Sequence, residues 1–145
     1  MNHTIILEQF REKQLRDNYL LFLSFEKYLI ERHFSWINLK IVDNCLFGKG
    51  TLKLGNRSYN VKLYYSPFFE RRFDRIYIDD PSIKHNNDVH LYPDLSLCLY
   101  HPLIDRSFLK IIPLVKMIPW ISEWCVYYEK WKEYGVWLGK EIKHV

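Results

Sequence analysis

Apolar and polar positions change period three times along the chain. From about Thr4 to His33 there is no Gly and no Pro, and the polar positions are largely Glu, Lys, Arg and Gln. Those residues lose little rotamer freedom in a helix. Leu15, Tyr19, Phe22, Leu23, Phe25, Leu29 and Ile30 form a broad apolar stripe. Thr4 is placed to cap the start, and Glu8 falls in the first turn, where a carboxylate meets the positive end of the helix. Asp17-Asn18 marks a possible break, so the segment reads as one long helix or two.

The middle of the chain reads as strands. Trp36, Leu39, Ile41 and Val42 belong to a first one, closed by a turn at Asp43-Asn44. Leu46, Phe47, Leu52 and Leu54 suggest a second, with Gly48 and Gly50 as expected bulges. Leu54-Gly55-Asn56-Arg57 reads as a hairpin turn. Tyr59, Val61, Leu63 and Tyr65 then alternate with Asn60, Lys62 and Tyr64, and Pro67 ends that strand. Ile76 and Ile78, alternating with Arg75 and Tyr77, make a fourth. Four successive strands with short turns predict an antiparallel meander.

From Asp79 to about Leu103 the periodicity vanishes in a stretch with three prolines, three histidines and one cysteine. Long loops inside compact domains are usually functional. A final helix follows, with Pro119 expected in its first turn and Gly135 at its end. Trp120, Trp124, Tyr127, Trp131 and Tyr134 share one helical face, expected to be core. The tail GVWLGKEIKHV is expected to fold back, since Trp137 wants cover; it would cover an active site or bind a partner.

Composition adds bounds. A chain of 145 residues, 48% hydrophobic and 17% aromatic, fits one folded domain over 1–145 and excludes a disordered chain. With no linker or repeat in view, the class is α+β. A net charge of +4 with scattered basic residues argues against a nucleic-acid partner. Glu70-Arg71-Arg72 reads as an exposed loop, and Asp79-Asp80 as turn residues. No apolar run approaches the roughly 20 residues of a membrane span. The charged start lacks a signal-peptide core, and the three cysteines, an odd number, do not make a disulfide framework. These features predict a reduced, cytoplasmic protein with no membrane partner.

Cys98, within HLYPDLSLCLYHP, is the strongest candidate for chemistry. A nucleophilic thiol needs partial exposure, a lowered pKa and nearby hydrogen-bond donors. His90 and His101 flank it, and backbone N–H groups around Asp94-Leu95-Ser96 are possible oxyanion donors. The plainer alternative is a buried structural thiol. Cys45 and Cys125 read as packing residues. His85, His90, Cys98 and His101 offer mixed zinc ligands, but the spacing matches no compact finger, so no metal and no cofactor is expected. His144 either reaches a site or caps a loop. There is no GxGxxG, P-loop, HExxH or GxSxG.

These residues resemble the ubiquitin-conjugating-enzyme fold, and most of all its bacterial branch. The segment His90-Leu91-Tyr92-Pro93-Asp94-Leu95-Ser96-Leu97-Cys98-Leu99-Tyr100 is similar to that branch's active-site segment. Pro119-Trp120, Glu123-Trp124, Tyr128-Glu129, Trp131, Gly135, Trp137, Gly139, Glu141 and His144 resemble its C-terminal signature. Tyr59-Asn60-Val61 and Tyr65-Ser66-Pro67 fit the strand before the cysteine. The likeness spans about residues 44 to 144.

The resemblance implies a fold of N-terminal helix, four-stranded meander, active-site loop and C-terminal helix. It implies that Cys98 accepts an acyl group, as a thioester, from the C-terminus of a protein. The bacterial branch belongs to antiphage operons of the CBASS type. There the implied partner is a cGAS-like nucleotidyltransferase acting through its C-terminal tail, with an activating enzyme as a possible second partner. A stand-alone chain resembles the short type II form. Eukaryotic relatives carry His-Pro-Asn where this chain has His90-Leu91-Tyr92, and their loop to the cysteine is longer. Leu95 stands where a Gly is common. Oxyanion support therefore falls to Tyr92, His101 or backbone N–H groups, with Asp94 among the positioning residues. His90 and His101 are expected to orient the loop and favour the Cys98 thiolate. The competing reading is a catalytically inactive interaction module of the same fold.

Overall fold

A computed structural model of the chain describes residues 17–66, 72–100 and 111–139. Thr4, Glu8, Leu15, Pro67, His101, Glu141 and His144 lie outside the described residues. Helix α1 runs Tyr19–His33, strand β1 Ile37–Val42, β2 Cys45–Leu54, β3 Arg57–Tyr65, β4 Asp74–Ile78, and helix α2 Leu114–Tyr134. The expected α+β order is present. The four strands form one sheet in the order β1-β2-β3-β4, and every pairing is antiparallel.

Asn18 has φ −127° and ψ 44°, outside the helical region, and its carbonyl accepts the first α1 bond from Phe22 N–H at 3.0 Å. The break expected at Asp17-Asn18 is therefore there. α1 buries Leu23, Glu26 and Ile30, while Phe25 is exposed along with Leu20, Leu21 and Tyr28. The expected stripe was too broad by Phe25, because only a narrow face of α1 meets the sheet.

The two hairpins have two-residue loops, with Val42 opposite Cys45 and Leu54 opposite Arg57. Gly55 (φ 61°) supplies the left-handed first position of its turn, and Asp43 (φ 54°) does so in the other. The expected bulges are absent: Gly48 pairs with Leu39 and Leu63 in an unbroken ladder, as Gly50 does with Ile37 and Val61. What these glycines provide is close approach. A Cβ on Gly48 would stand 2.6 Å from Leu39 Cδ2 and 2.9 Å from Leu63 Cγ.

The core lies between the inner sheet face and the helices. Leu39, Leu46, Val61, Leu63 and Ile76 meet Leu23 and Ile30 of α1 and Leu114, Met117, Ile118, Ile121 and Trp124 of α2. α2 begins a turn earlier than the sequence suggested. Pro113 flanks its start, and Pro119 lies inside, at the cost of one ladder bond. The buried face is rotated from the expected aromatic stripe. Only Trp124 of that stripe is fully buried, and Tyr134 is exposed. Aliphatic Leu114, Met117, Ile118 and Ile121 fit the tightly packed interior, and the larger rings flank them.

Pro113 offers α2 no side-chain cap; Glu26 of α1 reaches across instead, and its carboxylate accepts Val115 N–H at 3.3 Å. A buried carboxyl group is thereby placed at the positive end of a helix. Glu26→Ala should lower stability by about 1–2 kcal/mol in urea unfolding; an unchanged midpoint would show that the carboxylate is not capping α2.

Candidate functional site

The peptide around Cys98 folds as a small hairpin. Leu91 and Leu97 bridge antiparallel, Tyr92 N–H donates to Ser96 O at 2.9 Å, and Cys98 N–H donates to His90 O at 3.0 Å. At the tip, Leu95 N–H closes on Tyr92 O at 2.9 Å, with Pro93 at the turn position its ring favours. Asp94 Oδ1 accepts Ser96 N–H at 3.0 Å and the Ser96 hydroxyl. Leu95 sits at φ 70°, a conformation that suits Gly. That is the physical reason a Gly fits this place. Leu95→Gly should raise stability by about 0.5–1 kcal/mol, since left-handed strain outweighs the added chain entropy; a lower urea midpoint would refute this.

Contacts from β4 and from α2 and its tail hold the hairpin. Leu97 N–H donates to Ile76 O at 2.7 Å, a single rung off the edge of β4. The indole N–H of Trp124 donates to His90 O at 3.0 Å. The ring of Trp137 stacks on the His90 imidazole at 4.7 Å and also packs against Trp124 and Tyr127. The chain reverses at Gly135 (φ 74°) to bring Trp137 there, so the expected fold-back of the tail is observed through Gly139.

Cys98 is only 2% exposed, and its Sγ lies 3.5 Å from Tyr100 O as a donor. Burial pushes its thiol up to about 11; a hydrogen bond from the Tyr92 side chain and the charge of Arg72 pull the other way, while Asp74 adds to the rise. Tyr92 is itself raised, by burial first and then by Cys98 and Asp74, so its phenol stays protonated and remains a donor. The Arg72 guanidinium lies 3.6 Å from the centre of the Tyr92 ring. Arg72 also donates to the Ser96 hydroxyl, pairs with Asp94 at 3.7 Å and donates from Nε to Asp74 O at 3.0 Å. Burial would raise the Asp94 carboxyl, but Ser96, Arg72 and Tyr77 together hold it below its ordinary value. Asp74 is wholly buried and accepts the Tyr100 hydroxyl at 2.7 Å.

Cys98, His90, Tyr92 and Asp94 are thus brought into one hairpin. His90 contributes its backbone carbonyl to Cys98 and Trp124, and its ring to Trp137. Of the backbone donors, Leu95 N–H and Ser96 N–H are already engaged within the turn. Among the described candidates for oxyanion support, the Tyr92 phenol is the side chain that pulls the Cys98 thiol down.

Sequence reasoning missed Arg72 and Asp74. Arg72 is not an exposed loop residue: its side chain is 13% exposed and locked over Tyr92. Counting back by twos from Ile78 and Ile76 places Asp74 on the inner face of β4, a signal that a charged residue is buried there for a purpose, whereas Arg72 precedes the strand and carries no such signal. Asp80 is a turn residue, its carboxylate accepting Ser82 N–H at 2.9 Å. Cys125 is fully buried on α2, and burial pushes its thiol up to about 12.

The raised thiol carries a kinetic expectation. Near pH 7.5 the thiolate fraction at Cys98 should be roughly 300-fold below that of an ordinary thiol of pKa about 8.5, so the free chain should alkylate there much more slowly. The rate should keep climbing above pH 9, since a raised pKa moves thiolate formation to higher pH. Peptide-resolved iodoacetamide labelling across pH reads this directly, and a plateau by pH 9 would contradict it.

No helix among the described residues is long and apolar enough to cross a membrane. A family model described as E2-CBASS, type II CBASS E2 protein, matches residues 26–145. No curated protein and no solved structure matches the chain.

Proposed function

The chain belongs to the type II CBASS E2 family, which gives it an E2-like role in antiviral defence, and from that premise we propose that it is an acyltransferase working through a thioester at Cys98. The observation that carries this reading is the hairpin that sets Cys98 beside Tyr92, whose ring lies 3.6 Å beneath the Arg72 guanidinium and whose phenol pulls the Cys98 thiol down. A protonated phenol that acts on the reacting thiol can donate to the negative charge that develops on the adjacent carbonyl oxygen.

The steps balance without a cofactor. The Cys98 thiolate attacks the carbonyl of a donor thioester at the C-terminus of a protein. The carbonyl oxygen becomes an oxyanion. Collapse re-forms the C=O bond, makes the Cys98 thioester and expels the donor thiolate. An acceptor amine then attacks the same carbon, loses a proton to water, and expels the Cys98 thiolate as an amide forms. Exchange of one thiolate for another needs no strong base; proximity and oxyanion stabilisation lower its barrier. The donor we infer is the C-terminal tail of a cGAS-like nucleotidyltransferase, delivered by an activating enzyme.

Intact mass of the chain co-expressed with its operon neighbours, with and without reductant, tests this. The wild type should carry a thiol-sensitive protein adduct. Cys98→Ala should carry none, and Cys98→Ser should trap a reductant-resistant ester. The second reading, an inactive interaction module, draws on the deep burial of Cys98 and its raised thiol. Co-purification of a neighbour without any adduct would select it.

A further inference from the structure

The basic residues of the strands look scattered in sequence, but a strand sends alternate side chains to opposite faces. With Leu39, Leu46, Leu63 and Ile76 directed to the core, Lys40, Lys49, Lys53, Lys62 and Arg75 go to the outer face, away from the helices. Two complete rows cross all four strands there. One is Lys40-Phe47-Tyr64-Arg75, and beside it runs Asn38-Lys49-Lys62-Tyr77. Phe47 and Tyr64 lie 5.2 Å apart, Tyr64 and Tyr77 6.5 Å, and the Lys62 ammonium is 5.6 Å from the Tyr64 ring centre. Beyond the first row, towards the Asp43-Asn44 turn, a cavity of about 520 Å³ opens against Val42, Cys45, Phe47 and Tyr64. Its size is that of a small-molecule site.

The ring pairs steady the sheet, but the clustered cations do not. Lys49 stands directly opposite Lys62, and like charges at such a pair are destabilising. Among the described residues, no carboxylate forms an ion pair with Lys40, Lys49, Lys53 or Lys62. A bound anion relieves that repulsion. Carboxylates alone would use the cations and leave the rings and the cavity idle. A strand of nucleotides uses both, because its phosphates repeat along a chain whose bases are flat and aromatic.

We propose that the outer face of the sheet binds single-stranded nucleic acid, with phosphates along Lys40, Lys49, Lys62 and Arg75 and a base in the cavity at Phe47 and Tyr64. This reverses the expectation drawn from the mild net charge, because strand alternation gathers on one face what the sequence disperses. It does not depend on chemistry at Cys98.

Fluorescence anisotropy of the full chain with labelled oligothymidylate and oligouridylate of about fifteen nucleotides tests it. Both should bind. With about four phosphates engaged, affinity should fall roughly 50-fold between 50 and 200 mM salt. Lys49→Ala combined with Lys62→Ala should roughly halve the slope of log affinity against log salt, with a thermal midpoint no lower than the wild type. Tyr64→Leu should weaken binding about tenfold with that slope unchanged, because it removes stacking and leaves the charges. No binding at about 100 μM protein in 50 mM salt overturns the proposal. So does competition by polyglutamate as strong as by unlabelled oligonucleotide, which would assign the face to an acidic protein. A Tyr64→Leu variant that binds like the wild type also overturns it.

Discussion

Tyr92→Phe is expected to slow acyl transfer through Cys98 by about a hundred- to a thousand-fold, the usual cost of removing one oxyanion donor. The substitution takes away a single oxygen. The ring stays beneath the Arg72 guanidinium, so the cation–π contact and the packing of the hairpin are kept. The loss should fall on the rate of single-turnover transfer and not on binding of the donor, since the phenol acts where charge appears in the transition state. The Cys98 thiol should also rise further, because the phenol's hydrogen bond pulls it down in the wild type. Alkylation at neutral pH would therefore slow as well. A Tyr92→Phe variant that forms adduct at the wild-type rate would return the oxyanion role to His101 or to backbone N–H groups.

Trp124→Ala should cost about 3–5 kcal/mol, the range for emptying a buried aromatic site. Trp124 is 2% exposed, stacks on Tyr128 at 4.9 Å, packs against Trp137 and donates its indole N–H to His90 O. Against a typical total of 5–15 kcal/mol, that change brings the fold near its limit. Trp124→Phe is the more informative variant. It keeps most of the ring and deletes the N–H, so it should cost about 1 kcal/mol in urea unfolding. It also loosens the tie between α2 and the Cys98 hairpin, which should read out as faster alkylation of Cys98 in the folded chain. If labelling stays at the wild-type rate, the tie to His90 O does not control access to the thiol.

The fold was legible because its signals are local. Alternation at Tyr59, Val61, Leu63 and Tyr65 states a strand whatever surrounds it, and two-residue turns at the first two connections leave antiparallel neighbours as the simple solution. The Cys98 segment was legible for the same reason. His90 to Tyr100 is contiguous, and its turn chemistry at Pro93-Asp94 is written in sequence order. Gly48 and Gly50 misled because a glycine serves equally for a bulge or for close approach, and only neighbouring Leu39 and Leu63 decide which. The aromatic stripe of α2 misled because helical spacing identifies a face without saying what faces it.

By itself, then, the sequence determined the order of elements, the meander and the proline turn that precedes Cys98. Tertiary structure decided the environment of that cysteine. Arg72 is 26 residues from Cys98 in sequence and Trp137 is 39 beyond it, so only folding brings the guanidinium over Tyr92 and the indole onto His90. Burial, which raises the thiol, is likewise a property of all the packed elements at once. The basic outer face arises the same way, since the register of four strands, and no single one of them, aligns Lys40, Phe47, Tyr64 and Arg75 in a row.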